Sequence, residues 1–368
     1  MSKLEELIQQ HCPDGVEYKP LKDVLKIKNG RDYKHLNEGS IPVYGSGGIM
    51  TYVDTPMYSK PSVLIPRKGS IDKLYYVNTP FWNVDTIFYT EIDTSKVVEK
   101  YVYYALQREH LEKLNTAGGV PSLTQGVLNE VLIPIPPLPV QKEIVRILDT
   151  FAELQAELQA ELQARIQQYN YYRDKLLSFS DLGGGISVEW KKLGEICNLS
   201  RGKVYSKSYI EENAGEYPVY SSQTANNGEL GRISTYDYDG EYLTWTTDGA
   251  YAGTIFYRKG KFSITNVCGL ISTKENNLHI KFLFYWLTIK APDYVYRGMG
   301  NPKLMSNQME PIKVPIPPIA EQQRIVDILD RFDALTTDLT AGLPAEIEAR
   351  RKQYEYYRDQ LLTFKQKA

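Results

Sequence analysis

The sequence predicts an α+β chain: two tandem, pseudo-twofold-related globular domains joined by a long antiparallel helical coiled coil. Three observations predict it. First, the chain is written twice. Residues 133–151, IPIPPLPVQKEIVRILDTF, read like 314–332, VPIPPIAEQQRIVDILDRF, at an offset of 181, and YNYYRDKLLSF (169–179) reads like YEYYRDQLLTF (354–364) at an offset of 185. A period this long is a domain duplication, not a solenoid. Second, each repeated tail carries one apolar stripe at helical spacing: Ile144, Leu148, Phe151, Leu154, Leu158, Leu162, Ile166 and Tyr169 in the first, Ile325, Leu329, Phe332, Leu335, Leu339, Leu343, Ile347 and Tyr354 in the second. A stripe that long exceeds one small core and reads as a coiled-coil seam. Third, the parts between the tails hold β-branched and aromatic runs separated by Gly, Asn, Asp and Pro, the pattern of strands and turns.

In chain order, the opening MSKLEELIQQ is polar and helical, with no apolar signal core. The first globular part (1–137) contains SVLIPRKGSI, LYYV and TIFYTEI as strand runs and ends in the helical KVVEKYVYYALQREHLEKL. PIPP then forbids helix and fixes an extended entry into the first spacer helix, 138–180. SDLGGGIS closes that helix and forms a linker, 181–187. The second globular part (188–318) has EYLTWTT and TIFYRKGKFSI as strands and HIKFLFYWLTIK as its last helix. The second spacer helix, 319–368, contains Gly342 and Pro344, which break or kink it.

Within the first spacer helix, residues 152–163 spell AELQ three times. Each unit adds about 6 Å of helix and about 40° of net rotation. That is about 1.8 base pairs of B-DNA by length and about one by rotation. Replication slippage in an exposed helix of good helix formers produces such a tract, and tolerance there is what a spacer shows.

Composition excludes several classes. No apolar run approaches the ~18 residues of a membrane span. Cys12, Cys197 and Cys268 are odd in number and widely spaced, which fits a reducing cytoplasm and argues against disulfides or zinc. The net charge of −2 gives no bulk signal for nucleic acid, whereas 29 Tyr against 10 Phe favours interfaces. NTPF (78–81) resembles the adenine-methyltransferase loop but has Thr79 where a proline belongs, and no glycine-rich cofactor motif accompanies it. PDGVEYK (13–19) spaces Asp14 and Glu17 too closely for a nuclease pair of carboxylates. GSGG (45–48) lacks the Lys-Ser/Thr of a phosphate loop and reads as a turn. The histidines His11, His35, His110 and His279 make no zinc pattern.

The duplicated PIPP…Q…I…ILD-x-F blocks, the closing YYRDxLL-x-F, the opening LEELIQQHCPDGVEYKPLKDV and the tetrapeptide repeat together resemble the specificity subunits of Type I restriction–modification enzymes. The resemblance spans essentially the whole chain. It is most specific in the tails and weaker in the variable parts, through SGGI, LIPRKGS and NPKL. It implies that each variable part is a target recognition domain reading one half of a split, asymmetric DNA site, and that the helices set the spacing and dock two modification subunits. Those subunits, not this chain, bind S-adenosylmethionine and methylate adenine N6. Motor–nuclease subunits complete the restriction enzyme. The resemblance implies no catalytic residue and no metal in this chain. If the methyltransferase partners enclose the DNA, the chain need not be basic.

Base-reading side chains in turn-rich segments give the candidate DNA contacts. In the first domain these are Lys28, Asn29, Arg31, Lys34, Tyr44, Ser46, Arg67, Lys68 and Lys73. In the second they are Arg201, Lys203, Tyr205, Lys207, Ser222, Gln223, Asn226, Asn227, Thr247, Asp248, Tyr251, Arg297, Asn301 and Lys303. The paired VPSL and NPKL, present in both units, suit architecture as well as readout. Tyr169, Tyr172, Arg173, Tyr354, Tyr357 and Arg358 in the repeated YYRD segments are candidates for partner docking. Two other readings stand beside this one. A freestanding methyltransferase or nuclease would show methyl transfer or cleavage by the chain alone. A protein-only coiled-coil adaptor would leave DNA unprotected.

Overall fold

The computed structural model describes residues 2–115, 118–179, 188–298, 300–337 and 342–367. The predicted linker 181–187 and the stripe residue Leu339 lie outside the described residues. The chain divides into two compact units, Met1–Ala160 with Ala345–Ala368, and Glu161–Pro344.

The first unit begins with α1 (Lys3–His11), capped by Ser2 and Glu5 in a reciprocal capping box. β1 (Tyr18–Pro20) pairs with β9 (Leu132–Pro134). Two sheets lie between them. One has the order β2–β8–β5–β6, formed by Leu25–Asn29, Ile87–Ile92, Ser62–Pro66 and Tyr75–Val77. The other has the order β4–β3–β7, formed by Gly48–Val53, Glu38–Gly45 and Trp82–Asn83. Helix α2 (Glu99–Arg108) covers the first sheet, and short α3 (Gln125–Asn129) precedes β9.

The second unit repeats this plan. β10 (Glu189–Lys192) pairs with β17 (Lys313–Ile316), and a single sheet runs β11–β16–β14–β15–β12–β13. Its strands are Cys197–Arg201, Cys268–Thr273, Tyr238–Thr246, Ile255–Ile264, Ala214–Tyr220 and Glu229–Ile233. Helices α5 (Leu193–Ile196), α6 (Lys207–Glu212), α7 (Ile280–Lys290) and α8 (Ser306–Met309) complete it. The first unit's β6 and β7 correspond to the one long strand β15. NTPF is the interruption: Phe81 is buried and pairs with Tyr58, while Pro80 cannot donate to a ladder.

Glycines mark the close approaches the two sheets share. A Cβ at Gly30 would overlap the carbonyl oxygens of Asn83 and Val84, and one at Gly202 would overlap that of Ile264. Gly202→Ala is therefore expected to push β11 from β15 and destabilise the second unit by about 1–3 kcal/mol. Thermal or denaturant unfolding reads this, and an unchanged midpoint would refute it.

The spacer helices follow their PIPP segments. α4 is Leu138–Leu176, with Pro139 in its first turn, where a missing N–H costs little. Where one broken helix was expected to span 319–368, two appear: α9 (Ile319–Thr337) and α10 (Leu343–Leu361), the latter with Pro344 in its first turn. The boundary between the compact units falls inside α4, within the AELQ tract, none of whose residues is buried.

The repeated tail motif ties each helix to the globular part before it. Gln141 is buried; its Oε1 accepts from Val98 N at 2.8 Å and its Nε2 donates to the carbonyls of Lys96 (3.1 Å) and Pro136 (2.7 Å). Gln322 repeats this with His279 N (2.8 Å) and the carbonyls of Asn277 and Pro317 (both 2.9 Å). Asp149 accepts from Tyr104 and pairs with Lys100, just as Asp330 accepts from Tyr285 and pairs with Lys281. Burial and then the neighbouring carboxylate raise the pKa of both phenols. Ile144 and Leu148, like Ile325 and Leu329, are fully buried beneath.

Candidate nucleic-acid interface

Each unit closes one loop edge with the same backbone clasp. In the first, Gly69 N donates to Pro121 O at 3.0 Å, and Leu123 N donates to Arg67 O at 2.9 Å. In the second, Gly249 N donates to Pro302 O and Leu304 N to Thr247 O, both at 3.0 Å. Lys68 bridges to Ser122 and Asp248 to Lys303. VPSL and NPKL are thus architectural through their main chains, while the side chains of Lys68 and Lys303 remain exposed. Gly69 and Gly249, at φ 83° and 101°, make the turn possible.

A second shared feature is a hairpin, β3–β4 beside β7 in the first unit and β12–β13 beside the end of β15 in the second. In the first unit the β3–β4 tip holds Ser46, whose carbonyl accepts from Tyr75 Oη at 3.1 Å. Val84 N donates to Tyr44 O, and Arg31 N donates to Asn83 O, so Arg31, Tyr44 and Ser46 gather around Asn83 and Val84. In the second unit Lys203 N donates to Ile264 O, and Thr265 N donates to Tyr220 O, gathering Lys203 and the loop 221–228 around Thr265.

The YYRD segments build matching aromatic ladders. Tyr172 stacks on Phe332 with centroids 5.8 Å apart, and Tyr171 meets it edge-on at 5.3 Å. Tyr357 stacks on Phe151 at 5.4 Å, and Tyr356 meets it edge-on at 5.4 Å. Tyr169 and Tyr354 instead pack against the cores, and Tyr354 Oη donates to Gln107. Arg173 and Arg358 each pair with the next aspartate, and Arg358 is buried. Within the second unit, a groove between α4 and α9 is lined by Gln168, Tyr172, Leu176, Arg324, Ile328 and Phe332.

The Type I restriction modification DNA specificity domain matches residues 13–168 and 187–349. The chain belongs to this family. It is similar to the Type I restriction enzyme MpnII specificity subunit of Mycoplasma pneumoniae, with 38% identity over 313 residues, covering 69% of this chain and 94% of that one. A Haemophilus influenzae chain whose name places it among type I restriction enzyme specificity subunits is 31% identical over 390 residues, 98% of each chain. The fold is shared with the crystal structure of a Type I restriction–modification S subunit from M. genitalium, at a TM-score of 0.63 and 18% identity over 95% of this chain and 96% of that one.

In this specificity chain most of the candidate cations are unpaired. Among the described residues, Lys28 lies 3.7 Å from Glu91 and Lys203 lies 2.6 Å from Asp237, whereas Arg31, Lys34, Arg67, Lys68, Lys73, Arg201, Lys207, Arg297 and Lys303 have no carboxylate within ion-pair distance. On the spacer helices, again among the described residues, Arg146, Arg165, Arg324, Arg350 and Arg351 each have one, whereas Lys142, Lys175 and Arg331 do not. Both globular parts thus carry unpaired cations although the whole chain is slightly acidic.

One candidate is corrected by the geometry, and others have partners within the chain. Thr247 is fully buried, its hydroxyl donating to Val267 O at 2.8 Å, and has no face for a base. Tyr205 Oη donates to Asp237 at 2.6 Å, so Lys203 and Tyr205 are already engaged by one carboxylate. Burial raises the pKa of that carboxyl, but Lys203 and Tyr205 outweigh it and leave it below the usual range. Gln223 spends its Nε2 on Glu229 O. Lys28, Asn29, Lys34, Lys73, Ser222, Asn226, Asn227, Tyr251, Arg297 and Asn301 are exposed or half-exposed. Sequence reasoning passed over Ile49, Met50 and Tyr52, which project from β4 at 50%, 57% and 50% exposure and suit contact with thymine methyl groups. A three-residue apolar cluster in a hairpin strand was the available signal. Among the described residues no group of three His, Cys, Asp or Glu is placed to hold a metal, and no helix is long and apolar enough to cross a membrane.

Proposed function

We propose that this chain is the non-catalytic DNA-recognition subunit of a Type I restriction–modification enzyme, each unit reading one half of an asymmetric, bipartite site. The observation that carries the reading is the pair of matching loop edges, built on one clasp but bearing different unpaired cations and polar side chains. Phosphate contacts position such an edge, and side chains on base edges specify it. The repeated tails recruit two modification subunits, which bind S-adenosylmethionine and methylate adenine N6; motor–nuclease subunits add cleavage. The chain acts in the cytoplasm, where these partners and the DNA are.

Mapping methylated bases in cells making the complex tests this. One split motif with a methylated adenine in each half is expected. Methyl transfer by the chain alone, or no sequence-specific mark, would refute it. AELQ supplies a second test: deleting Ala152–Gln155 is expected to shorten the unspecified gap by about one or two base pairs. Both half-sites should stay as they were, and altered half-site letters would contradict the spacer role.

A further inference from the structure

The two hairpin loops differ in length and in what braces them. Between β3 and β4 the loop is Ser46–Gly47; between β12 and β13 it is 221–228. Three successive residues of the longer loop have positive φ: Asn226 at 49°, Asn227 at 52° and Gly228 at 79°. Asparagine is one of the few residues that enter this region readily, and both asparagine side chains are exposed. Ser221 N donates to Gly228 O at 2.9 Å, which closes the loop.

Beneath the loop lies Arg258 of β15, 3% exposed. Its guanidinium sits 3.6 Å from the centroid of Tyr220 and 4.5 Å from that of Phe256. Nη2 donates to Asn227 O at 2.8 Å, and Nε donates to Thr244 Oγ1 at 3.2 Å. Among the described residues no carboxylate lies within ion-pair distance of it. A cation withdrawn from water without an anion is costly. Its compensation is the aromatic faces and the loop carbonyl.

The first unit solves the same problem differently. The shared clasp aligns Thr246 with Pro66, so the strand registers place Val77 where Arg258 stands and Tyr75 where Phe256 stands. Val77 is buried and apolar, and Tyr75 braces Ser46 O. In each unit one side chain, Tyr75 from β6 or Arg258 from β15, reaches a carbonyl of the hairpin tip. The longer loop takes the longer, charged one.

Resting on the reading of the chain as a DNA-recognition subunit, we infer that loop 221–228 is a base-reading element of the second domain, that Arg258 is the positioning residue that sets its shape, and that the Asn226–Asn227 pair presents a side-chain amide to adenine in an A·T pair. An asparagine amide matches the N6 and N7 edge of adenine in the major groove.

The test compares methylation motifs in cells making the full complex with wild-type chain, the double variant Asn226→Gly/Asn227→Gly, Arg258→Met and Arg258→Lys. Glycine keeps the positive-φ backbone and removes only the amides. The double variant is expected to lose about tenfold or more of its discrimination at one A·T position of one half-site. The other half-site should be unchanged. Arg258→Met is expected to lower methylation about tenfold at sites defined by that same half, with partial recovery in Arg258→Lys. A wild-type motif that the glycine variant leaves intact, or relaxation at a G·C pair or in both halves, overturns the loop assignment alone. Full methylation by Arg258→Met overturns the brace. A wild-type complex that leaves no sequence-specific mark overturns the underlying reading and the loop with it.

Discussion

Replacing Gln322 by leucine is expected to destabilise the second unit by about 3–5 kcal/mol. The side chain is fully buried and makes three hydrogen bonds, to His279 N and to the carbonyls of Asn277 and Pro317. Leucine fills nearly the same volume, so little of the loss is cavity. The loss comes from one donor and two acceptors left without their partner in a buried or partly buried site, each costing about 1–3 kcal/mol. Carbonyls that keep a second partner fall at the low end. Gln141→Leu should do the same in the first unit through Val98 N, Lys96 O and Pro136 O. Equilibrium unfolding monitored in each variant measures it. A loss below about 1 kcal/mol would show that the glutamine does not lock α9 to the globular part.

The tails were the most legible part of the sequence because their constraint is local and periodic. Ile144, Leu148, Ile325 and Leu329 are buried where the stripe puts them, and Gln141 and Gln322 coincide in sequence because they make the same three bonds. The stripe overreached in the AELQ tract, where Leu154 is 39% exposed, since a leucine repeat in a permissive helix need not be covered. Sheet order was not legible. The strands are short, and the equivalence of Gly30 with Gly202 shows only when both are seen against a neighbouring carbonyl. Of the candidate contacts, the loops were legible from their turn residues, but burial was not: Thr247 looks like any loop threonine until its hydroxyl is found on Val267 O. Arg258 lies in a strand pattern that gives no hint that its head reaches the hairpin tip.

On the proposed role of the repeated tails in docking modification subunits, truncating Tyr171 or Tyr356 to alanine is expected to weaken binding of one such subunit by about 10- to 100-fold, about 1.4–2.8 kcal/mol. The segment containing each was expected to dock partners, but the ladder changes which residues are offered. Tyr169, Tyr354 and Arg358 are turned inward, whereas Tyr171 and Tyr356 are 61% and 60% exposed. Each rests edge-on against a tyrosine that itself stacks on a phenylalanine of the facing helix. A ring held this way gives up little freedom when covered, which is what makes aromatic anchors effective. The free chain should barely notice the change, because an exposed ring contributes within about 0.5 kcal/mol to stability. Assembly stoichiometry by mass measurement at micromolar concentration should therefore show one modification subunit lost per single variant and both lost in the double. Tyr→Phe at the same positions separates ring from hydroxyl: retained binding assigns the effect to apolar contact. Assembly unaffected by the double alanine variant would remove the ladders from the docking surface.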